Sequence, residues 1–347
     1  MLKFTNNHII RHTRVLTLIS VGLLLFSCND NHTPAKIEKQ NSKVEPQWIT
    51  PPPFNADSAY EFIKKQIAFG PRKPKSLAHE KCGDWIVNKL NSYGYNTTEQ
   101  IGSVNAFDGT KLPLRNIIAQ LNPSNKNRLL LCAHWDTRPF ADRDSINKNQ
   151  PIIGANDGGS GVGVLIEIAR SLQLSNCDKG VDIIFFDVED YGAPSLNARF
   201  FDIQSMNDTW CLGSQYWAYN LSPEYIKPKY GILLDMVGAK NAEFPKEGIS
   251  RQYAGYYQNK LWNMASKIGH GKYFKKKIAP PITDDHTYIN KMTNIPTLDI
   301  IHYSVRGNSG NFDFGKFHHT HADNIDVIYK PTLLAVGETV LSFIYNI

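Results

Sequence analysis

The segment Val181–Asp190, VDIIFFDVED, constrains the fold more than any other stretch of the chain. Val181, Ile183, Ile184, Phe185 and Phe186 form a short, almost unbroken apolar run. Three carboxylates then follow in four positions: Asp187, Glu189 and Asp190. Such a run reads as a strand buried on both faces of a parallel sheet. In open α/β sheets the chemistry sits just beyond the carboxyl ends of such strands. Acids crowded there repel one another and have raised pKa values, which a bound metal or a proton held for catalysis relieves. A turn of solvated acids ending a strand is the alternative, and the rest of the chain weighs against it.

The chain has 347 residues, room for one large α/β domain or two small ones. Its formal charge of +6 and pI near 8.9 are mild. No basic stripe interleaved with aromatics runs along it, so nucleic-acid binding is not expected. Residues 1–27 have the layout of a secretory signal: Lys3, Arg11 and Arg14, then an apolar core from Val15 to Phe26 that is short for a membrane span. Leu25-Phe26-Ser27-Cys28 resembles a bacterial lipobox. That resemblance implies cleavage before Cys28, lipidation of its thiol and a lipid-anchored protein of the cell envelope. A signal anchor and an unlipidated signal peptide are the alternatives. Residues 28–50 are polar and aperiodic, a flexible tether closing at Pro51-Pro52-Pro53. Residues 51–347 are expected to form the folded domain. Its Cys82, Cys132, Cys177 and Cys211 match no zinc-ribbon spacing, and either disulfides or buried free thiols satisfy them.

From Phe54 onward, helical and strand patterns alternate. Ala59, Phe62, Ile63 and Ile67 share a helix face that stops at Gly70-Pro71. Cys82, Trp85, Ile86, Leu90 and Tyr93 line a second helix, capped by Ser76 and ended by Gly94. Residues 115–121, 128–133, 230–237 and 295–302 read as strands, joining the Val181 strand. Helices are expected after Ser160, over 210–218, over 252–268 and after Pro331. The pattern predicts one α/β domain with a central mixed, mainly parallel sheet flanked by helices on both faces, and a monomer is expected.

Polar residues collect where strands end: His134 and Asp136, Asp157, Glu189 and Asp190, Asp235, Asp284 and Asp285, then His318, His319 and His321. Each has a bland explanation taken singly, such as Asp157 capping a helix. Together they point to one site, and Asp with His in the absence of clustered Cys suits zinc.

The order His-x-Asp, Gly-x-x-Asp-Gly-Gly-Ser-Gly, Asp-x-Glu-Asp, Leu-Leu-Asp-Met and a late His resembles the zinc aminopeptidase-like superfamily. Phe69-Gly-Pro-Arg, Cys132-Ala-His-Trp-Asp136, Leu234-Asp-Met-Val-Gly-Ala-Lys-Asn241, Thr283-Asp-Asp-His286 and His319-Thr-His-Ala-Asp-Asn324 are similar to the animal-type glutaminyl-peptide cyclotransferases and their bacterial relatives. The resemblance covers Phe54 to the C-terminus. It implies one zinc per chain, held by Asp157, Asp190 and His319. It also implies Glu189 as general acid and base, with Asp235 and Asp285 as its hydrogen-bonded acid network. The implied reaction converts an N-terminal Gln of peptides and proteins to pyroglutamate and releases ammonia. Two departures stand out. Animal members carry Glu-Glu where this chain has Glu189-Asp190, and Trp where it has His318. Trp210 is the candidate pocket wall on the substrate side, with His318 beside it. A zinc aminopeptidase with two metals is the competing reading, because His134 and Asp235 match its second-metal positions. A non-enzymatic peptide-binding module is a third, disfavoured because every ligand position is filled.

Overall fold

The computed structural model describes residues 47–175, 177–194, 203–305 and 310–347. The leader and Cys28 lie outside them, as does most of the 28–50 tether. The body from Trp48 to Ile347 is one compact unit. Its elements in chain order are α1 (Ala56–Ile67), α2 (Leu77–Ser92), β1 (Thr97–Asn105), β2 (Lys111–Leu121), β3 (Arg128–His134), α3 (Gly159–Leu174), β4 (Gly180–Phe186), α4 (Ile203–Asn207), α5 (Leu212–Tyr219) and β5 (Gly231–Asp235). There follow β6 (Phe244–Lys246), α6 (Gly248–Lys267), β7 (Phe274–Ile278), α7 (Asp285–Thr293), β8 (Thr297–Ile301), β9 (Ser304–Val305), β10 (Phe312–Asp313) and α8 (Lys330–Asn346). No helix among the described residues is long and apolar enough to cross a membrane.

The main sheet runs β1-β2-β4-β3-β5-β8. β4, β3, β5 and β8 are parallel, while β1 and β2 pair antiparallel along one edge. β3 and β4 are buried at every residue because both sheet faces are covered. Leu129, Leu131, Val181, Ile183, Phe185, Ile232 and Leu234 face the larger core, beneath α1, α3, α6 and α8. Leu130, Cys132, Ile184, Phe186 and Leu233 alternate to the other face and meet Trp217 of α5 and Ile289 of α7. The period of two along each strand thus fills two apolar layers at once.

β5 and α3 approach closely, and Gly161 makes this possible: a Cβ there would stand 2.2 Å from the Leu234 carbonyl oxygen. Asp182 interrupts the apolar run of β4 without being left unpaired. Its carboxylate accepts from Arg128 Nε (3.2 Å), Gln120 Nε2 (2.7 Å) and the Tyr225 hydroxyl (2.6 Å). This network closes the end of the sheet opposite the acid-rich loops.

The structure adds to and corrects the sequence reading. β1 carries no strong apolar alternation and was not anticipated, because it is an edge strand exposed at every other position or more. The helix expected from Trp210 begins at Leu212. α7 and the small β6–β7 and β9–β10 ribbons are likewise additions. The four domain cysteines are free and buried, which leaves the thiol alternative standing.

Candidate active site

The carboxyl ends of β3, β4, β5 and β8 open into one cavity of about 520 Å³. Asp157, Glu189, Trp210, Asp235, Asp284, His318 and His319 line it, with Met236, Ile282, Ile301, Tyr303 and Phe314 as its apolar wall. Its size and mixed lining suit a small ligand or the end of a chain.

Asp157 stands just ahead of α3, at the tip of the loop Gly154–Gly158. The loop is fixed by a second carboxylate: Asp323 accepts from the backbone N–H of Asn156 (2.8 Å) and of Asp157 (3.0 Å). From beneath, the buried Arg72 guanidinium donates to the carbonyls of Trp135, Ile153 and Gly154.

Glu189 and Asp190 are held in the same way. Asp136, two residues past β3, accepts the Glu189 N–H at Oδ1 (3.1 Å) and the Asp190 N–H at Oδ2 (3.2 Å). Adjacent side chains on an extended segment would diverge through the pleat alone. The segment is instead bent, with Val188 in the left-handed region at φ 53°. A β-branched residue there is strained. Asp187, the first acid of the run, turns away from the cavity. It meets His79 Nε2 (2.7 Å) and the Arg115 N–H (2.8 Å).

His319, at φ 56°, presents Nε2 to Asp190 Oδ1 (3.4 Å) and Asp157 Oδ2 (3.9 Å). Its Nδ1 faces Asp142 Oδ1 (3.3 Å), and Asp142 is itself paired with Arg138 through two bonds. A carboxylate on one imidazole nitrogen with the other aimed at acids is the arrangement that orients a metal-ligating histidine. Both Asp190 carboxylate oxygens are buried without a hydrogen-bond partner among the described residues. Orphaned, buried carboxylate oxygens facing an imidazole fit a cation bound between them. The structure therefore brings Asp157, Asp190 and His319 together around one point. His318 is also within reach of it, with Nε2 4.0 Å from Asp157 Oδ2.

His134 lies behind this point. Its Nε2 is 3.1 Å from Asp157 Oδ1 and 3.2 Å from Asp235 Oδ1. His134, Asp157 and Asp235 could hold an ion of their own. Burial works against a charge on His134, yet the carboxylates of Asp136, Asp157 and Asp235 outweigh it and raise its pKa well above the ordinary value.

Glu189 faces the cavity with its carboxylate near three groups. Oε2 is 3.9 Å from His134 Nδ1, and Oε1 is 3.2 Å from Cys211 Sγ. Asp284 completes a tight cluster with Glu189 and Cys211. Burial, then the fields of Asp190, Asp284 and Asp285, push the Glu189 pKa well up against the opposing pull of His134. Burial likewise lifts Asp235 to about 7.

Asp284, not Asp285, is the aspartate that lines the cavity beside Glu189. It caps α7, so its side chain stays at the helix mouth while Asp285, the first helical residue, turns into the interior with 0% exposure. The adjacent pair could not be told apart without knowing where the helix begins.

Trp210 walls the cavity and stacks on His319, ring centroids 5.7 Å apart and planes nearly parallel, and the Arg138 guanidinium also lies over its ring. His318 lines the rim, its Nδ1 accepting from Arg143 Nη1 (2.5 Å). Arg72, Arg138, Asp142 and Cys211 escaped the sequence reading as site residues. Arg138 and Asp142 sit in what reads as a polar loop, and only the Arg after His134-Trp135-Asp136-Thr137 hints at them.

The fold and the donor set define a zinc exopeptidase-type α/β enzyme. Residues 116–344 match peptidase family M28, and the chain belongs to that family. Among solved structures, the chain is similar to a Zn-dependent exopeptidase from Parabacteroides distasonis, with 46% identity and a TM-score of 0.79 over 85% of this chain and 99% of that one. It is equally similar to Bacteroides thetaiotaomicron glutaminyl cyclase, with 46% identity and a TM-score of 0.80 over 86% of this chain and 99% of that one. A curated relative, the glutaminyl-peptide cyclotransferase of Gloydius blomhoffii, is 27% identical over 249 residues, 63% of this chain and 61% of the relative. The chain spans only about half to three-fifths of the length of the curated relatives it matches.

Proposed function

We propose that the chain is a glutaminyl-peptide cyclotransferase: it converts the N-terminal Gln of peptides and proteins to pyroglutamate with release of ammonia. The observation that carries this reading is Glu189, buried beside the Asp157–Asp190–His319 trio in a cavity sized for the end of a chain. The likeness to a glutaminyl cyclase over nearly that protein's whole length supports it.

Asp157, Asp190 and His319 would hold one zinc, which supplies Lewis acidity at the reacting carbonyl. The chain's own residues do the rest. Trp210, Ile282 and Phe314 wall the side chain of the terminal Gln, so its α-amine and γ-carboxamide lie close together and few waters share the space. Glu189 takes a proton from the α-amine as that nitrogen bonds to the amide carbon. The same carboxyl then delivers the proton to the departing nitrogen, and ammonia leaves as the ring closes. One proton lost by the amine balances one gained by the leaving group. A raised pKa suits a group that must both accept and return a proton near neutral pH. Asp235 and Asp284, both pushed up by burial, are placed to share it.

The reading extends to the N-terminus. The Leu25-Phe26-Ser27-Cys28 motif supports a lipid anchor at Cys28 and an envelope location. A diacylglycerol-modified N-terminal peptide in the mass spectrum of the mature protein is the expected outcome, and an unmodified or uncleaved Cys28 refutes it.

The competing aminopeptidase reading draws on His134, Asp157 and Asp235 as a possible second ion site. Two peptides separate the readings, one beginning with Gln and one with Leu, each incubated with the zinc-loaded protein and weighed. Loss of one ammonia from the Gln peptide alone supports cyclisation. Shortening of the Leu peptide from its N-terminus overturns it.

A further inference from the structure

We propose that Cys211 is a positioning residue: its thiol donates a hydrogen bond to Glu189 Oε1 and fixes the carboxyl that moves the proton. This inference rests on the cyclase reading only for the identity of the substrate. The contact itself is a property of the cavity floor.

Cys211 grips Glu189 twice. The Cys211 N–H donates to the Glu189 carbonyl (2.9 Å), and Sγ stands 3.2 Å from Glu189 Oε1. The next residue extends the grip, Leu212 N–H donating to the Val188 carbonyl (3.0 Å). The strained Val188–Glu189 turn is thus tied, backbone and side chain, to the start of α5.

The local conformation argues that the side chain is wanted. Cys211 lies at φ 58°, a conformation glycine adopts freely and a side chain disfavours. The residue is fully buried, so its thiol reaches neither solvent nor oxidant. Burial, and then the Glu189 carboxylate, raise its pKa well above the ordinary thiol value. It remains S–H and donates toward the Glu189 carboxylate. A weak donor suits the role, since it orients the carboxyl without competing for its proton as a cation would. Oε1 is held at the thiol, and Oε2 is left on the side of His134.

The test uses Cys211→Gly, which favours the observed backbone and deletes the thiol, and Cys211→Ser, which restores a donor. Wild type and Glu189→Gln are measured alongside. Cys211→Gly should lower kcat roughly tenfold with KM unchanged and zinc content equal to wild type. Cys211→Ser should recover most of that loss. Undiminished kcat in Cys211→Gly overturns the proposal. So does an equal fall in both variants, or a change confined to KM.

A second readout needs no turnover and no fragile variant. In the infrared S–H region, the band that disappears in Cys211→Ser should be the one lowered by hydrogen bonding, and it should move in Glu189→Gln. A band at the unbonded frequency, or one indifferent to Glu189→Gln, overturns the proposal. If wild type leaves the Gln peptide untouched, the cyclase reading falls, and the infrared result still decides the Cys211–Glu189 bond.

Discussion

Arg72 offers a direct measure of how firmly the loop bearing Asp157 is held. Its guanidinium is fully buried and donates three bonds: Nε to Trp135 O (3.1 Å), Nη1 to Ile153 O (2.7 Å) and Nη2 to Gly154 O (2.7 Å). All three acceptors are neutral carbonyls. Its charge is opposed instead through space by Asp323, Asp136 and Asp157, which partly offset the lowering of its pKa by burial. Methionine at position 72 would refill much of the volume and donate nothing. Hydrogen bonds from a charged donor are worth about 1.5–3 kcal/mol each. Three of them, discounted because water or a shifted loop recovers some of the carbonyls, give a loss of about 4 kcal/mol. Against a typical net stability of about 5–15 kcal/mol, that is a large fraction. Equilibrium urea unfolding of Arg72→Met should show a lower midpoint with an unchanged slope, and zinc content should fall because the Asp157 loop relaxes. Arg72→Lys should recover only part of the loss, since one ammonium cannot span three carbonyls in different directions. A shift below about 1 kcal/mol with full zinc content would refute the clamp.

Glu189→Gln should abolish turnover while zinc remains bound, because the amide keeps the shape and loses the base; retained turnover sinks that role. Removing the metal with a chelator should stop turnover and lower the melting temperature, and one equivalent of zinc should restore both. Restoration only at two equivalents would favour the two-metal reading. His302, just past β8, accepts the Glu243 N–H at Nδ1 (3.0 Å), and burial holds its pKa down to about 4. The unfolded chain, with an imidazole pKa of about 6.5, binds the proton more readily. The stability His302 contributes is therefore complete above about pH 6.5 and is lost as pH falls toward 4, by about 3 kcal/mol. His302→Asn, whose carbonyl can replace Nδ1 as acceptor, should flatten the stability slope over that window, and an unchanged slope counts against the assignment.

What the sequence disclosed and what it withheld follow from the same physics. β3, β4 and β5 are legible because burial on both faces leaves an apolar run with no competing reading. The acids after them are legible because carboxylates at buried strand ends have few bland explanations. The β1 edge strand has no such pattern, since half of it faces water. That Asp284 rather than Asp285 lines the cavity turns on one residue of register at a helix start, where Asp284 caps and Asp285 does not. Arg72, Arg138 and Cys211 were hidden for another reason. Each reaches a site partner at least 22 residues away in the chain, and spacing along a sequence carries no record of such contacts.

The same distant contacts explain how so many acids coexist in one cavity. Each proposed ligand or base is held by a further carboxylate that accepts rather than repels: Asp323 takes the Asp157 N–H, Asp136 takes the N–H groups of Glu189 and Asp190, and Asp142 faces His319. Among these outer acids Asp142 is paired with Arg138, while burial and the field of Asp157 push Asp323 up to about 8. Burial raises Glu189, Asp190, Asp235 and Asp284 together, and Asp190 Oδ1 has only His319 Nε2 (3.4 Å) and Arg138 Nη1 (3.5 Å) opposite it, beyond good hydrogen-bond geometry. An excess of this kind is relieved in two ways, by protons or by a cation. Asp190 and Asp157 share an imidazole and a common focus, so they fit the cation. Glu189, Asp235 and Asp284 border the cavity away from that focus, so they fit the proton. The division places a Lewis acid and a proton carrier side by side, which is what closing a lactam and expelling ammonia requires of one small site.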